Sequence, residues 1–266
     1  MAQGIAEGSD RLLAADEPPA VTILREDGGS PFFLTADHAG KTLPRRMGGL
    51  GLPEGELERH IAWDIGIAGT SRLLADRLDA FLILQTYSRL VIDCNRAPGV
   101  PTSIPVLSEL TRIPGNEQLT AADAAARVRE IFEPYHGRIV RELDARRDTG
   151  RPTVLIAMHS FTPVFKDFAR PWHVGVLYNR DPRLARIMLK LLGTEGDLVV
   201  GDNEPYAISD ESDYTIPVHG ERRGIPHVEI EIRQDLIADA KGQAAWADRL
   251  ARLLEEAYRQ LGEVRP

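Results

Sequence analysis

The stretch PFFLTADHAG, residues 31–40, begins as an apolar run and ends in a polar pair followed by two very small residues. Successive positions of the run are apolar, so a strand here would bury both of its faces, as strands of helix-covered parallel sheets do. Asp37 and His38 follow the run directly, and Ala39 and Gly40 leave room for a ligand or another chain segment to approach. The stretch predicts a buried strand that carries an imidazole at its carboxyl end.

Further strand and helix patterns define the fold class. Short apolar runs rich in β-branched, aromatic or leucine residues predict strands at residues 80–86, 89–94, 153–158, 173–178 and 227–232, in addition to 31–36. Apolar residues at three- and four-residue spacing predict helices at residues 54–78, 120–147, 181–192 and 244–261. This alternation predicts one α/β domain with a mostly parallel or mixed central sheet and helices on both faces.

Length and composition limit the class of protein. The 266 residues suffice for one large catalytic domain, predicted at 21–266, after a flexible lead-in at 1–20. With 40 acidic against 32 basic residues and no basic block, nucleic acid is not an expected partner. No apolar run is long enough to span a membrane, and the N-terminus has no signal-peptide pattern. We therefore expect a cytoplasmic protein without membrane contact.

Cysteine content limits the metal chemistry that is open to this chain. Cys94 is the only cysteine, which excludes an internal disulfide and a cysteine-based zinc site, so a metal would be held by histidines and carboxylates. His38 and His159 each follow a predicted strand, and ligands gather beyond the carboxyl ends of strands in open α/β sheets. A histidine that caps its own strand is the alternative for each, but the two together favour a metal site.

A third metal ligand is needed, because a hydrolytic zinc site usually has three protein ligands and keeps one position for water. His60 and Asp64 are four residues apart on a predicted helix, so either one or both could point toward the site. We prefer Asp64 because Gly66 and Gly69 follow it and permit close packing, whereas His60 lies in a more polar stretch. A surface charge is the alternative interpretation of Asp64.

Two arginines at the predicted strand 89–94 are candidates for binding an acidic substrate. The planar guanidinium groups of Arg89 and Arg96 can each bind a carboxylate in two places. Asp93 between them could orient one of the two groups, although such runs often form only a network of salt bridges. Cys94 is a poor candidate nucleophile because the adjacent Asp93 would raise its pKa.

Charged residues alternate along the last predicted strand. Glu229, Glu231 and Arg233 would point to one face of the sheet, while the apolar residues between them point to the other. An ion-pair ladder is one interpretation of this pattern. A carboxylate close to a metal-activated water would instead act as a general base, and we favour this hypothesis.

Several motifs taken together resemble one known family. DHAG, WDIG, SRLVIDCNR, MHSF and DYTIPVHGERRGIPHVEIEIRQDL occur in the order typical of the N-formylglutamate amidohydrolase family, and the resemblance runs from about Phe32 to the final helix. That family is regarded as a relative of the zinc carboxypeptidases. The resemblance therefore implies a phosphorylase/hydrolase-like, zinc-carboxypeptidase-like fold.

The resemblance also implies roles for individual residues. It implies one divalent metal ion, expected to be zinc, although manganese, cobalt and nickel also suit such ligands. The implied metal ligands are His38, Asp64 and His159. The implied catalytic residues are Glu231, as general base, and Arg89, at the scissile carbonyl. The implied substrate-binding residues are Asn95 and Arg96. Ser160 and Arg233 are further candidates for substrate binding. His219 lies in a loop rich in small and polar residues that could close over the substrate, and a plain surface loop is the alternative.

The chain departs from the carboxypeptidase pattern at one position. Carboxypeptidases carry a His-x-x-Glu in which both residues bind the metal, whereas position 41 here is Lys41. The second ligand must therefore come from elsewhere, which is why Asp64 is inferred.

The reaction implied by the resemblance is metal-dependent removal of a formyl or similar small acyl group from an acidic N-acylated amino acid such as N-formylglutamate, a step of histidine degradation. An aspartoacylase- or carboxypeptidase-like deacylase and a non-catalytic ligand-binding homologue are the alternatives. A serine hydrolase is disfavoured because the sequence has no Gly-x-Ser-x-Gly motif. The sequence predicts no oligomeric state.

Overall fold

Buried strands run through the middle of the molecule, and the computed structural model describes residues 11–263. The strands are β1 (Val21–Leu24), β2 (Phe32–Ala36), β3 (Phe81–Gln85), β4 (Leu107–Ser108), β5 (Thr111–Arg112), β6 (Val154–Phe161), β7 (Val164–Phe165), β8 (Phe168–Ala169), β9 (Val174–Leu177), β10 (Val200–Asp202) and β11 (His227–Arg233). The α-helices are α1 (Ile67–Leu78), α2 (Ala121–Arg127), α3 (Glu133–Asp148), α4 (Arg183–Gly193) and α5 (Ala240–Glu263).

Seven of these strands form one sheet in the order β1-β3-β2-β6-β11-β9-β10. β2 pairs in parallel with β3 and β6, β6 pairs in parallel with β11, and β9 pairs in parallel with β10. The pairs β1 with β3 and β9 with β11 are antiparallel. The strands β4 and β5 form one short hairpin outside this sheet, and β7 and β8 form another. The predicted single α/β domain with a mixed central sheet is confirmed.

The two faces of the sheet have separate apolar cores. Leu34 and Ile156 belong to one buried cluster together with residues of α1, α4 and α5. Phe33 and Leu155 belong to a second cluster, which includes Ile139 and other residues of α3. Alternating side chains of β2 and β6 therefore enter opposite cores, and each fully buried Leu, Ile or Phe contributes roughly 1.5–3 kcal/mol. The prediction of helices on both faces is confirmed.

The strand predicted at residues 89–94 does not exist. The Ser88 carbonyl accepts a hydrogen bond from the Val91 N–H at 2.9 Å, which closes a turn at the start of the segment. The Asp93 carboxylate accepts from the Asn95 N–H at 2.8 Å, which closes a second turn. The apolar residues of this segment are buried, so their hydrophobicity reflects burial within turns rather than a pleated strand.

The helix predicted at residues 54–78 begins much later than expected, because α1 starts at Ile67. Gly66 adopts a φ of 81°, in the left-handed region that glycine tolerates and a right-handed helix does not use. The expectation that His60 and Asp64 share one face of a helix is therefore wrong. Both residues precede α1.

The other predicted helices are confirmed with shifted ends. They correspond to α2 and α3, joined by a π-helical turn at Val128–Phe132, and to α4 and α5. Within residues 11–263, no helix has both the length and the hydropathy needed to cross a lipid bilayer.

Part of the predicted lead-in lies against the domain. Residues 1–10 of this segment are outside the described residues. Leu12 and Leu13 are buried, and their N–H groups each donate a hydrogen bond to the Glu130 carboxylate at 2.9 Å. Packed structure therefore begins before residue 21, where the domain boundary was predicted.

Candidate active site

The sheet face covered by α3 becomes polar toward the carboxyl ends of β6 and β11. β6 runs beyond the predicted strand, so His159 and Ser160 lie within it. His159 points to the same face as Ala157, and the parallel register sets Glu231 beside His159. Glu229 on β11 points to that face too. Strands that fill the core along most of their length thus bring an imidazole and two carboxylates to one edge of the sheet.

Gly40 explains how the chain can carry His38 to this edge. β2 ends at Ala36, and the chain then passes close to the end of β3. A Cβ atom at Gly40 would lie 2.0 Å from the Thr86 carbonyl oxygen, so only glycine fits this crossing. The small residues that follow His38 therefore serve a close approach of backbone to backbone, and His38 itself is buried.

Asp64 is held at the same edge by backbone contacts. Its N–H donates to the His38 carbonyl oxygen at 2.9 Å. A Cβ atom at Gly66 would lie 2.1 Å from the Ile237 carbonyl oxygen, so the chain turns tightly just before α1. The Asp64 carboxylate oxygen Oδ2 accepts a hydrogen bond from the Ser160 N–H at 3.1 Å. This contact joins the turn to β6.

His38, Asp64 and His159 converge on one point. Asp64 Oδ2 lies 3.1 Å from His159 Nδ1 and 3.6 Å from His38 Nδ1. All three residues are buried, and their potential ligand atoms lie within 4.8 Å of one another. Two imidazole nitrogens and a carboxylate oxygen are ligands that zinc prefers. The three residues could therefore hold a metal ion.

Hydrogen bonding leaves the metal-facing nitrogen of His38 available. His38 Nε2 lies 2.7 Å from Asp93 Oδ1, so Nε2 carries the proton and donates it to this carboxylate. Nδ1 is then an acceptor that is buried without a hydrogen-bond partner in the described part of the chain. A buried, unpartnered nitrogen beside a carboxylate is costly unless it binds something. The donor set therefore fits a divalent metal ion.

Carboxylates surround His159 and determine its charge. Its Nε2 lies 3.7 Å from Asp37 Oδ2 and 3.9 Å from Glu229 Oε2, on the side away from Asp64. Burial lowers the pKa of His159, but Glu229 and Asp64 outweigh this effect and hold the pKa well above its ordinary value. Burial likewise favours a neutral Asp64, yet His38 and His159 hold the pKa of Asp64 below its usual range.

Glu231 is a buried carboxylate of this edge that has no ion pair among the described residues, whereas Asp37 and Glu229 lie within 4 Å of His159. Glu231 is 6% exposed, and its Oε2 makes no hydrogen bond to the described residues. Burial raises the pKa of Glu231 to about 7, although the charge of His159 opposes the rise. Glu231 and the three candidate ligands line one cleft of about 470 Å³. A carboxylate that exchanges protons near neutral pH is suited to general acid–base chemistry.

Comparison with known proteins supplies the family. A sequence model described as N-formylglutamate amidohydrolase matches residues 30–238. The chain belongs to this family. It is therefore an amidohydrolase, a hydrolase that acts on carbon–nitrogen bonds, and the resemblance drawn from the motifs is confirmed. No curated protein matches the chain.

Two solved structures share the fold of this amidohydrolase over most of its length. The gene product Atu2144 from Agrobacterium tumefaciens is 38% identical with a TM-score of 0.91, and the match covers 95% of this chain and 100% of that one. N-formylglutamate amidohydrolase from Ralstonia eutropha JMP134 is 18% identical with a TM-score of 0.66, and the match covers 93% and 99% of the two chains. At that identity, the second likeness shows the fold alone.

In this amidohydrolase, Asp93 holds two of the predicted site residues at once. Its Oδ1 accepts from His38, and its Oδ2 accepts from Arg89 Nε at 3.0 Å and Nη2 at 2.6 Å. Arg89 Nη1 lies 3.6 Å from Asp64 Oδ1. Burial opposes the charge of Arg89, but Asp93 and Asp64 raise the pKa of the guanidinium above its ordinary value. Arg89 therefore remains a cation next to the candidate metal ligands.

Asn95 and Arg96 line the cleft, and the neighbouring Asp213 fixes part of their geometry. Asn95 Oδ1 accepts from the N–H groups of Tyr214 and Thr215, each at 3.0 Å, and its Nδ2 donates to Asp213 at 3.1 Å. Arg96 Nη1 donates to the Asn95 carbonyl at 2.9 Å and lies 3.5 Å from Asp213 Oδ1. The other guanidinium nitrogens of Arg96 make no hydrogen bond to the described residues and can bind a ligand.

Two residues predicted to bind substrate lie away from the cleft. His219 is buried, with its Nε2 2.9 Å from His136 Nδ1. Arg233 is the last residue of β11, where the chain leaves the sheet, and its guanidinium donates to Asp235 at 2.8 Å. The structure therefore does not bring His219 or Arg233 to the candidate ligands, and the guanidinium of Arg233 is instead held by Asp235 and the Trp172 carbonyl.

Two other predicted residues line the cleft in different settings. Ser160 donates its hydroxyl to the Ile65 carbonyl at 2.9 Å, so both its N–H and its hydroxyl support the turn around Asp64. His60, the alternative third ligand, lies 3.5 Å from Glu109 and is not part of the converging set. Of the two residues, Asp64 is the one that lies with His38 and His159 as the third candidate ligand.

Other residues of this site escaped prediction. Asp213 and Tyr206 come from the segment between β10 and Ile216, which carries neither a strand nor a helix pattern. Glu109 comes from the turn between β4 and β5. Asp37, which directly precedes His38, and Asp213, which opens the motif that begins DYTIPV, lay in recognised motifs without a predicted role.

Proposed function

We propose that this amidohydrolase is metal-dependent and removes a formyl or similar small acyl group from an acidic N-acylated amino acid such as N-formylglutamate. One observation carries the proposal. His38, Asp64 and His159 converge in the cleft, and the Nδ1 atom of His38 has no hydrogen-bond partner among the described residues. The carboxylate of Glu231, whose Oε2 is also unpartnered, lines the same cleft. Family membership supports the amide bond as the target, and the converging donors support the metal.

His38 and His159 through Nδ1, and Asp64 through Oδ2, would hold one divalent ion, expected to be zinc. When bound, such an ion supplies a Lewis acid that polarises the amide carbonyl and lowers the pKa of water. Asp93 would support metal binding by His38. It accepts the proton of His38 Nε2 and so fixes the tautomer whose Nδ1 carries no proton.

Glu231 would act as the general base and then as the general acid. It accepts a proton from the water that attacks the carbonyl carbon, and it delivers that proton to the amine nitrogen as the carbon–nitrogen bond breaks. The amino acid and the free acid, formate for a formyl substrate, are the products. The pKa of about 7 supports both transfers near neutral pH, because neither protonation state is strongly disfavoured.

The arginines would bind negative charge at two stages. Arg89 stands beside Asp64 and would stabilise the negative oxygen that develops as water attacks the carbonyl. Arg96, with Asn95 behind it, would bind a carboxylate of the substrate through its remaining guanidinium donors.

The test is metal content together with hydrolysis. Wild type, His159→Ala, Asp64→Ala and His60→Ala would be purified, analysed for metal, and assayed on N-formylglutamate and N-acetylglutamate. We expect one ion per chain in wild type and in His60→Ala, and loss of the ion in the other two variants. His60→Ala is the matched control, because His60 lines the cleft without being one of the converging ligands.

The outcomes separate the alternatives. A preference for the formyl compound supports the proposal, whereas a preference for the acetyl compound supports a deacylase of larger acyl groups. Metal binding without hydrolysis of either compound would indicate a ligand-binding homologue, and a metal-free wild type that stays inactive with added zinc would contradict the proposal. A small acidic N-acylated partner, a cytoplasmic location and a role in histidine degradation remain parts of this proposal.

A further inference from the structure

Glu109 has a backbone conformation that suits glycine, yet its side chain is held against the protein. It is one of the two loop residues of the β4–β5 hairpin, and its φ of 54° lies in the left-handed region. A residue with a side chain adopts this region at a cost, and such strain persists only where the surroundings hold the residue in place. The Glu109 side chain is 10% exposed and lines the cleft. Its carboxylate therefore contacts other residues rather than bulk solvent.

Asp167 has the same kind of backbone conformation without such contacts. It is one of the two loop residues of the β7–β8 hairpin, its φ is 63°, and it is exposed. Its carboxylate makes no ion pair or hydrogen bond with residues 11–263. Both acids thus occupy strained turns, but only Glu109 directs its carboxylate to other residues. Asp167 is therefore a control for the strain itself.

The Glu109 carboxylate joins three segments at the wall of the cleft. Its Oε2 accepts a hydrogen bond from Arg59 Nη2 at 2.7 Å and lies 3.5 Å from His60 Nε2. Its Oε1 accepts a longer hydrogen bond from the Lys166 N–H at 3.5 Å. Arg59 also donates to Glu56 at 2.6 Å, so its guanidinium is fixed from two sides. The charge of Glu109 is thereby held next to the imidazole of His60.

This carboxylate determines which nitrogen of His60 carries the proton. His60 Nε2 is buried without a hydrogen-bond partner in the described part of the chain, so a proton on Nε2 faces the Glu109 carboxylate at 3.5 Å. With the proton on Nε2, Nδ1 is an acceptor. Burial lowers the pKa of His60, although Glu109 opposes this effect, so the ring is neutral at neutral pH. Because His60 lines the cleft, it offers the cleft a hydrogen-bond acceptor.

A bound amide requires such an acceptor. A secondary amide has one N–H group, and a buried N–H group without an acceptor is unfavourable. Arg89 and Arg96 have only donors, and the carboxylate of Glu231 accepts from water in the proposed reaction. The Oδ1 atom of Asn95 already accepts from two backbone N–H groups. These groups are therefore not available to the amide N–H, whereas Nδ1 of His60 is.

We propose that His60 Nδ1 accepts a hydrogen bond from the N–H group of the scissile amide, and that Glu109 is the positioning residue that keeps Nδ1 in its acceptor form. This inference rests on the proposed function, and it assigns to His60 the recognition of amides over esters. An ester has an oxygen acceptor where the amide has its N–H group, so two acceptors would face each other. The site would therefore bind an amide more tightly than the matching ester.

The test compares an amide with its ester in wild type and in His60→Phe. N-formylglutamate and 2-(formyloxy)glutarate differ only in that oxygen replaces the N–H group, and phenylalanine keeps a ring without nitrogen atoms. The readout is the ratio of kcat/KM for the amide to kcat/KM for the ester, because the intrinsic reactivities of the two compounds cancel when two proteins are compared. We expect this ratio to fall by about 2- to 10-fold in His60→Phe, the range for one neutral hydrogen bond. An unchanged ratio, or an equal loss of activity on both compounds, would overturn the role assigned to His60.

Glu109→Gly and Asp167→Gly separate the carboxylate from the strain. Each substitution removes an acid from a turn with a positive φ, so both relieve the same kind of strain. We expect Glu109→Gly to lower the amide-to-ester ratio and Asp167→Gly to leave it unchanged. In the His60→Phe background, Glu109→Gly should not change the ratio further, because Glu109 acts through His60. A further fall of the ratio in that background would refute the positioning role of Glu109.

A binding measurement keeps this inference separate from the proposed function. Calorimetric titration of the Glu231→Gln variant with the two compounds requires no turnover. We expect this variant to bind the amide more tightly than the ester by about 2- to 10-fold, and the double variant with His60→Phe to lose that difference. A wild type that hydrolyses neither compound, together with tighter binding of the amide, would contradict the proposed reaction but support His60 as the acceptor. Equal binding of amide and ester by Glu231→Gln would refute the inference.

Discussion

Two pairs of buried histidines lie on the same side of the sheet, and they differ in whether carboxylates contact them. His38 and His159 have ring centres 5.0 Å apart, with the Asp64 carboxylate beside both rings. His136 and His219 have stacked rings with centres 5.2 Å apart, and their nearest polar contacts are each other and the Cys94 carbonyl. Burial is nearly complete in both pairs.

The second pair shows what burial does when no carboxylate is in contact. His136 Nε2 donates to the Cys94 carbonyl at 2.7 Å, so His136 Nδ1 accepts the proton of His219 Nε2. Burial lowers the pKa of His136 to about 4 and holds the pKa of His219 well below its ordinary value. This pair is neutral and serves the packing between α3 and the π-helical turn at Ile216–Glu221.

The first pair shows what neighbouring carboxylates change. His159 is as deeply buried, yet Glu229 and Asp64 reverse the effect of burial and keep its pKa well above the ordinary value. Each pair contains one buried Nδ1 atom without a hydrogen-bond partner among the described residues, on His38 and on His219, so an unpartnered nitrogen does not separate the two pairs. The type of residue and its burial therefore do not identify a site. Carboxylates around the imidazoles do.

Removing one carboxylate beside the first pair should have the largest effect. We expect Glu231→Gln to lower kcat by about 100- to 10,000-fold, the range for losing a general acid–base group, because glutamine cannot accept the proton of water. Metal content and thermal stability should stay close to those of wild type, because Glu231 is not among the converging ligands. The same substitution at Glu255, an exposed residue of α5, is the control. A kcat within a few-fold of wild type would exclude Glu231 as the base.

Protonating the second pair should reduce stability as the pH falls. In the unfolded chain His136 has its ordinary pKa of 6.5, whereas burial in the folded protein lowers the pKa of His136 to about 4. Protons therefore favour the unfolded state in this window. The free energy of unfolding should fall by about 3 kcal/mol between pH 6.5 and pH 4 from this residue, and it should level off below.

Urea unfolding at pH 7 and at pH 5 checks this expectation. In His136→Gln, the amide can still donate to the Cys94 carbonyl but does not titrate, so the loss of stability between the two pH values should be smaller than in wild type. An equal loss in both proteins would show that His136 does not carry the effect and that the contrast between the pairs is not electrostatic.

The contrast also explains how far the sequence predicts this molecule. Apolar runs such as residues 31–36 predict the buried strands correctly, because burial on both faces leaves a continuous pattern. The same hydrophobicity at residues 89–94 predicts a strand where the chain makes buried turns, since apolar content records burial and not backbone shape. Ser88 and Asp93 carried the opposing signal, because the side-chain oxygen of each accepts a hydrogen bond from the N–H group two residues later.

The candidate site was predictable where it follows a strand end. His38, His159 and Glu231 could be chosen because parallel strands bring their carboxyl ends to one edge. The choice between Asp64 and His60 depends on where α1 begins. It begins at Ile67, after a tight turn at Gly66 that packs against the distant Ile237 carbonyl group. The surroundings of His219 were not predictable at all, because its partner is on α3 and sequence spacing does not report such pairings.

The smallest effect on stability is expected at residues 93 and 94, which form the junction between the two histidine pairs. Residue 93 contacts the first pair and residue 94 contacts the second. The side chain of Asp93 accepts from His38, while only the backbone carbonyl of Cys94 accepts from His136. Burial raises the pKa of the Cys94 thiol well above its ordinary value, so the thiol is no nucleophile. Cys94→Ala keeps the carbonyl and removes only a buried sulfur atom. It should lower the free energy of unfolding by roughly 1 kcal/mol and leave kcat/KM unchanged.

Urea unfolding and steady-state kinetics on the same preparation test both parts of this expectation. A loss of activity without a loss of stability would mean that the Cys94 thiol takes part in the reaction, which would contradict this prediction. Unchanged activity with the small loss of stability would show that only the backbone at this position links the two pairs. Asp93 would then be the sole residue of the junction whose side chain matters for catalysis.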